Sequence, residues 1–289
     1  MIEKDFPKNL SDFMERFGTE EACAEYLFNQ KWSDGFKCHL CGCTEAHLLP
    51  TRPIYVCYGC RHHHSLTANT AFEGTRKGLK KWFLAIYLMV TSKQGMSAKE
   101  LQRQLGLGSY QTAWAWLHKL RRCVVDPSRT PLGGMVEMDE TYIGGEAEFG
   151  EHGRSTAKKA AVVCAVERIG FQTGRCRLAV IENCTKKTLH QFAKGTLKLD
   201  TTVHTDDWRG YLGLERSGYA HIRAVADKEL LEAHDLLPSV HRIFSLLKRW
   251  LLGTHQGAVS RKHLQHYLWE YDFASIDGRV MLPLIYSNA

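Results

Sequence analysis

The sequence predicts a multidomain α+β protein, and three observations carry that prediction. Two C-x-x-C knuckles stand near the front of the chain, a basic stretch with helical periodicity comes next, and from Leu132 onward the pattern changes to β-rich segments bounded by glycine or polar turns. Taken in order they divide the chain into residues 1–70, an N-terminal helix and cysteine module; 71–130, a basic helical domain; 131–275, an α/β domain; and 276–289, a tail of different character. A length of 289 residues allows about two domains with a small appended module.

Leu10 to Phe28 alternates apolar and charged residues at helical spacing, through Phe13, Phe17, Cys23, Tyr26 and Leu27. It reads as an amphipathic helix or helix pair packed on the cysteine module. Next come Cys38-His39-Leu40-Cys41 and Cys57-Tyr58-Gly59-Cys60, separated by 15 residues. That spacing is the one used by four-cysteine zinc ribbons, where each tight turn brings two thiolates to about 2.3 Å from one tetrahedral ion. Cys38, Cys41, Cys57 and Cys60 are therefore the candidate ligands of a structural Zn²⁺, with Cys43 as a spare that could compete with Cys41. With four thiolates at hand, His62-His63-His64 reads as surface or phosphate-facing. The remaining cysteines, Cys23, Cys123, Cys164, Cys176 and Cys184, mostly lie in apolar surroundings and read as small buried hydrophobes and not as a disulfide framework.

Leu79 to Val90 is predicted to be a core helix. Ser97, with Glu100 three residues on, opens a second helix that Gly106 closes, and Ser109 opens a third running to Arg122. This is a helix-turn-helix pattern with the last helix as the candidate reader of a DNA groove; a plain helical hairpin has the same outline. Residues 71–130 hold about eleven Lys and Arg against about three acids, so they supply nearly all of the chain's net charge of +7. Such an excess suits a phosphate backbone, or a solvated helical face.

The last domain is expected to contain strands at Met135–Ile143, Ala160–Ile169 and Arg175–Glu182, a helix at Thr185–Leu197, strands at Thr202–Asp206 and Ile222–Ala226, and helices at Val240–Leu252 and His263–Phe273. Three strands, a helix, a strand and then alternating units is the order of a ribonuclease H-like domain. Asp139 and Asp206 each end an apolar segment, and the two segments are far apart in sequence, as a fold requires to set two carboxylates side by side around divalent metal. That geometry serves phosphoryl transfer on nucleic acid. Glu140 points to the other face of its strand, and Asp207 is likewise out of phase with Asp206. The polar, glycine-containing loop from Gly144 to Lys159 is expected near substrate.

Met138-Asp139-Glu140-Thr141-Tyr142-Ile143-Gly144-Gly145, Thr205-Asp206 before Trp208 and Tyr211, and the series Ser245-Leu246-Leu247-Lys248-Arg249, Gly253-Thr254, Val259-Ser260, His263-Leu264, Tyr267-Leu268 and Glu270 resemble the corresponding stretches of bacterial insertion-sequence transposases, the zinc-ribbon class with a DDE-type catalytic domain. Both knuckles, Cys60-Arg61, Ser65-Leu66-Thr67 and Trp82-Phe83 are similar to that family too, so the resemblance runs to about Phe273. It implies metal-dependent cleavage at transposon ends and strand transfer into target DNA. It implies as partners the terminal inverted repeats and the target, a homo-oligomer on DNA, and two Mg²⁺ or Mn²⁺ ions held by Asp139, Asp206 and His241. Members of the family carry a glutamate, or in some subgroups an asparagine or histidine, just before the Phe-x-Ser-Leu-Leu-Lys helix. His241 occupies that place, 35 residues after Asp206, and Lys248 matches the family's trailing lysine two turns on, over the DNA phosphate. After Phe273 the family's basic run is replaced by Ala274-Ser275-Ile276-Asp277-Gly278-Arg279-Val280.

Two further readings stay open on sequence alone: a catalytically inactive DNA-binding relic, and a ribonuclease H-like nuclease that cuts without joining. A membrane protein is not expected, because the apolar run Trp82 to Val90 is about nine residues long against roughly 20 for a span. The N-terminus lacks a basic region followed by an apolar core, so a cytoplasmic, nucleoid-associated location is expected.

Overall fold

In the computed structural model, which describes residues 7–50, 52–125, 129–144, 159–224, 236–257 and 259–277, the side chains of Asn9 and Thr19 each open a helix. Their oxygens accept from the N–H groups of Asp12 and Ala22, three residues on, and start α1 (Leu10–Phe17) and α2 (Glu20–Lys31). The expected amphipathic stretch is thus a helix pair, with Phe13, Phe17, Cys23 and Leu27 buried. A three-stranded antiparallel sheet comes next, β1 (Ala46–Leu48), β2 (Ile54–Cys57) and β3 (His63–Ser65). Then come α3 (Leu79–Thr91), α4 (Ala98–Leu105) and α5 (Tyr110–Cys123).

The chain divides into two units, Met1–Val124 and Val125–Gly278. Within the first, the helix pair α1–α2 and the helices α3–α5 pack together, while the last residues of the expected 71–130 segment, from Val125 on, belong to the second unit. Phe13 packs on Tyr87 and Phe17 on Phe83, with ring centroids 4.7 and 5.1 Å apart. Glu20 of α2 reaches the start of α3, accepting from the N–H groups of Leu79 at 2.6 Å and Lys80 at 3.3 Å. This carboxylate replaces a local cap, since Gly78 has no side chain to offer. Trp82 and Trp116 stack at 3.7 Å and lock α3 to α5. Ser97 caps α4, Gly106 ends it in the left-handed region (φ 59°), and Ser109 caps α5. Gln111, Ala115, Lys119 and Arg122 form the exposed stripe of α5.

The second unit is a five-stranded mixed sheet in the order β6-β5-β4-β7-β8. The strands are β4 (Met135–Ile143), β5 (Ala160–Ile169), β6 (Gln172–Ile181), β7 (Thr202–Thr205) and β8 (Ala220–Arg223). β4, β5 and β6 form an antiparallel meander, while β7 runs parallel to β4 and β8 parallel to β7. Residue period two sorts β5 between two cores. Val162, Cys164 and Val166 face α7 (Pro238–His255) and α8 (Arg261–Asp277), and Ala161, Val163 and Ala165 face α6 (Lys186–Thr196).

Two strands differ from expectation. β6 starts at Gln172 instead of Arg175 because the hairpin turn at Gly170-Phe171 pairs Ile169 directly with Gln172. β8 occupies Ala220–Arg223 instead of Ile222–Ala226, since its register is set by β7, with Thr202 opposite Ala220 and Thr205 opposite Arg223. The loop 144–159 and the tail 276–289 fall largely outside the described residues. No described helix is long and apolar enough to cross a membrane.

Candidate functional site

The cysteine module closes as its spacing predicts. The Sγ atoms of Cys38, Cys41, Cys57 and Cys60 all lie within 4.8 Å of one another. Cys38–Cys60 and Cys41–Cys57 are each 3.6 Å apart, close to the ~3.8 Å edge of a tetrahedron with 2.3 Å arms. The two knuckles are alike: Gly42 N–H donates to Cys38 O and Arg61 N–H to Cys57 O, with Gly42 and Arg61 both at positive φ. The Cys38 thiol is drawn down to about 5; burial opposes this, and the N–H groups of Cys41 and Leu40 with the His64 ring and Cys60 outweigh it. Four cysteine sulfurs in this arrangement fit a structural Zn²⁺. Cys43 stands apart, its Sγ 3.6 Å from Glu45 O.

His64 corrects the sequence reading. It is buried, with Nε2 3.3 Å from Cys38 Sγ, because β3 alternation turns it inward while His63 faces solvent. Replacing buried Cys57 by serine should abolish zinc retention and melt the ribbon, because ion binding of about 10–16 kcal/mol is folding energy in such modules. Zinc analysis and limited proteolysis check this; a ribbon that keeps its zinc contradicts it.

In the second unit, sheet register brings the two aspartates together. Glu137 on β4 stands beside His204 on β7, so continuing the parallel pairing two residues sets Asp139 beside Asp206, one residue past the end of β7. Both lie on the face that α7 covers. Asp206 Oδ1 accepts from the N–H of Trp208 at 3.0 Å, and Asp139 Oδ1 from that of Glu140 at 2.8 Å. His241, in the first turn of α7, has Nδ1 4.0 Å from Asp139 Oδ2. Lys248, exposed two turns further along α7, is near enough for its charge to act on Asp139.

The Asp139 carboxyl is pushed up to about 6, by burial first and by repulsion from Asp206, against the pull of the Glu140 N–H, His241 and Lys248. Burial also pushes Glu140 up to about 7, with Asp139 and Asp206 adding to it and the Tyr211 hydroxyl opposing. A largely desolvated carboxylate with a second one beside it is the kind of site a cation stabilises. The ligand atoms of Asp139, Asp206 and His241 are not all within 4.8 Å of one another, as those of the cysteine cluster are.

A sign follows for stability. Both acids hold their protons more tightly folded than unfolded, so without metal the folded state loses stability as pH rises from about 4 to about 7. Asp139→Asn should therefore raise the melting temperature of the metal-free protein at pH 7.5 and leave it nearly unchanged at pH 4. Thermal melts in chelator at both pH values check this; equal shifts at the two would contradict it.

Three further residues support the carboxylates and the elements around them. Glu137 is fully buried two residues before Asp139 on the same face, and its Oε2 accepts from the N–H groups of Ser239 (2.7 Å) and Val240 (3.0 Å) at the start of α7. Buried Tyr211 donates its hydroxyl to Glu140 Oε2 on the opposite face. Trp208, half exposed, donates from Nε1 to Cys184 O at 3.0 Å. Strand parity from Asp139 was the one sequence signal pointing to Glu137.

An α/β domain of this topology with a carboxylate pair on its central strands, in a chain with a zinc ribbon, defines a class of nucleic-acid-processing enzymes. Residues 131–275 match the ISXO2-like transposase domain and residues 18–63 the transposase zinc-ribbon domain, and the chain belongs to that transposase family. A curated relative, described as an uncharacterized protein in transposable element ISH50 of Halobacterium salinarum, is 24% identical over 268 residues, covering 87% of this chain and 89% of its own. Among solved structures, a chain of the simian T-cell lymphotropic virus intasome in complex with PP2A regulatory subunit B56 gamma aligns over 58% of this chain and 63% of its own. At 15% identity and a TM-score of 0.30 that likeness carries no weight.

Proposed function

We propose that this transposase cuts DNA at the ends of its element and joins the freed 3′-hydroxyls to target DNA at a centre formed by Asp139, Asp206 and His241. The observation that carries the reading is the placement of Asp139 and Asp206 on adjacent parallel strands, beneath the helix that bears His241 and Lys248. Cutting is hydrolysis of a phosphodiester: a water oxygen attacks phosphorus, the bond to the 3′ oxygen breaks, and that oxygen leaves with a proton as the free hydroxyl. Joining repeats the displacement with the 3′-hydroxyl as nucleophile on a target phosphate, one phosphodiester forming as another breaks. Mg²⁺ or Mn²⁺ ions held by Asp139, Asp206 and His241 would supply positive charge to the attacking and leaving oxygens.

The chain's own residues do the rest. Lys248 holds a substrate phosphate by charge from the exposed side of α7. Glu140, tied to Tyr211, fixes the strand behind Asp139. The exposed stripe of α5, with Lys119 and Arg122, faces DNA, and synapsis of two element ends calls for at least two copies of the chain. The test is an assay with labelled element-end DNA and divalent metal. Nicked ends that become joined to a second duplex support the reading. Binding alone would favour the inactive relic, and cutting without joining a simple nuclease.

A neutral imidazole gives less charge than a carboxylate and suits softer ions than Mg²⁺. The parent should therefore favour Mn²⁺ over Mg²⁺ more than a His241→Glu variant does, by about tenfold in the ratio of joining rates if the ligand change is worth ~1.4 kcal/mol. Equal Mn²⁺/Mg²⁺ ratios in the two proteins would sink the assignment of His241 as a ligand.

A further inference from the structure

The ribbon carries a second cluster of metal-binding side chains that the four-cysteine site does not use. His39 lies inside the first knuckle, between two ligand cysteines, and His62 and His64 flank the start of β3. Period two puts His62 and His64 on one side of that strand, with His63 turned away to solvent. The three rings meet. Their centroids are 5.0 Å (His39–His62), 5.0 Å (His39–His64) and 4.7 Å (His62–His64) apart, with planes 81–88° to one another. One ring nitrogen from each lies within 4.8 Å of the other two. Imidazoles bound at 2.0–2.1 Å to one tetrahedral ion have nitrogens ~3.4 Å apart, so side-chain rotations of about 1 Å would complete the site.

We propose that His39, His62 and His64 bind a second divalent ion of the zinc, cobalt or nickel class beside the tetrathiolate zinc. Three neutral imidazoles select borderline transition metals over Mg²⁺ or Ca²⁺. Charge favours it as well. One Zn²⁺ with four thiolates carries a formal charge of −2, which a second dication held by uncharged ligands offsets. His64 joins the two sites. If its Nε2–H is given to the Cys38 thiolate, the lone pair of a neutral ring sits on Nδ1. His64 is buried, His62 half-buried and His39 exposed, so the ion sits at the ribbon surface with its fourth position open to water. Its effect is to clip the first knuckle to β3, a second closure of the ribbon beside the cysteine site.

The experiment is cobalt loading of the full-length chain carrying Asp139→Asn and Asp206→Asn, so that the carboxylate centre does not contribute ions. Bound cobalt is counted after exhaustive dialysis, and the thiolate-to-cobalt charge-transfer band reports the cysteine site separately. Two ions per chain are expected. Adding His39→Ala or His62→Ala should lower the count to one and leave the charge-transfer band in place, which shows that the ribbon still folds. One ion per chain before those changes, or two ions retained after both, would overturn the proposal. Neither outcome depends on whether the chain transposes DNA.

Discussion

Asp139→Asn is expected to lower both cutting and joining of element-end DNA by about a thousand-fold or more, and to leave binding of that DNA unchanged. The substitution keeps the size of the side chain and removes its charge. The several kcal/mol of transition-state charge stabilisation attributed to metal at such a centre correspond to at least three powers of ten in rate. In the proposed reading DNA is held by the basic residues between 71 and 124, with Lys119 and Arg122 exposed on α5, and these lie in the other unit, so binding should survive. The same variant should be more stable than the parent in chelator at neutral pH, since it removes a largely desolvated acid pushed up to about 6. Loss of activity with a gain in stability is the signature of a residue kept for chemistry. Gel-based cleavage and joining, a binding titration and a thermal melt on one preparation check all three parts. A variant that cuts at the parent's rate would refute the assignment.

Glu137→Ala should be the most damaging single change outside the proposed metal ligands. Its carboxylate is fully buried and accepts from two N–H groups of the first turn of α7, where Leu237 provides no side-chain cap. Removing it strands two N–H groups at buried positions, at about 1–3 kcal/mol, and deletes a negative charge from a helix N-terminus, worth up to ~2 kcal/mol. A combined loss of about 3–4 kcal/mol would lower the melting temperature by roughly 10 °C for a unit of this size. Glu137→Gln keeps an acceptor oxygen and should lose about half as much. Because α7 carries His241 and Lys248, the alanine variant should also cut more slowly at temperatures well below its melt. A melt unchanged from the parent would remove Glu137 from the account.

These two residues mark how far the sequence could be read. Elements set by local chemistry were legible: Ser97, Gly106 and Ser109 bound α4 and α5 where their capping pattern places them, and β4 and β5 match the β-rich runs expected there. The pairing of Asp139 with Asp206 was expected from each ending an apolar segment; Asp206 does follow the end of β7, but Asp139 is the middle residue of β4, and it is the register of β4 with β7 that sets the two side by side.

What stayed hidden depends on partners distant in sequence. Glu20 and Glu137 both cap helices from other elements, 59 and 102 residues away, and no local pattern marks a tertiary cap. His64 looked like a surface residue because the thiolate it meets, Cys38, is 26 residues upstream. Tyr211 stands in the stretch after Asp206, but nothing local shows that its hydroxyl meets Glu140, 71 residues upstream. Strand edges moved for the same reason, since β8 begins where β7 gives it a partner and not where its own apolar run begins.

The most direct test of the central claim is manganese-edge anomalous diffraction from crystals of the full chain soaked in Mn²⁺. Anomalous peaks within coordination distance of the Asp139 and Asp206 carboxylates, with the His241 ring as a further ligand, are the predicted result. Manganese bound to neither aspartate, or bound only at other sites, would contradict it.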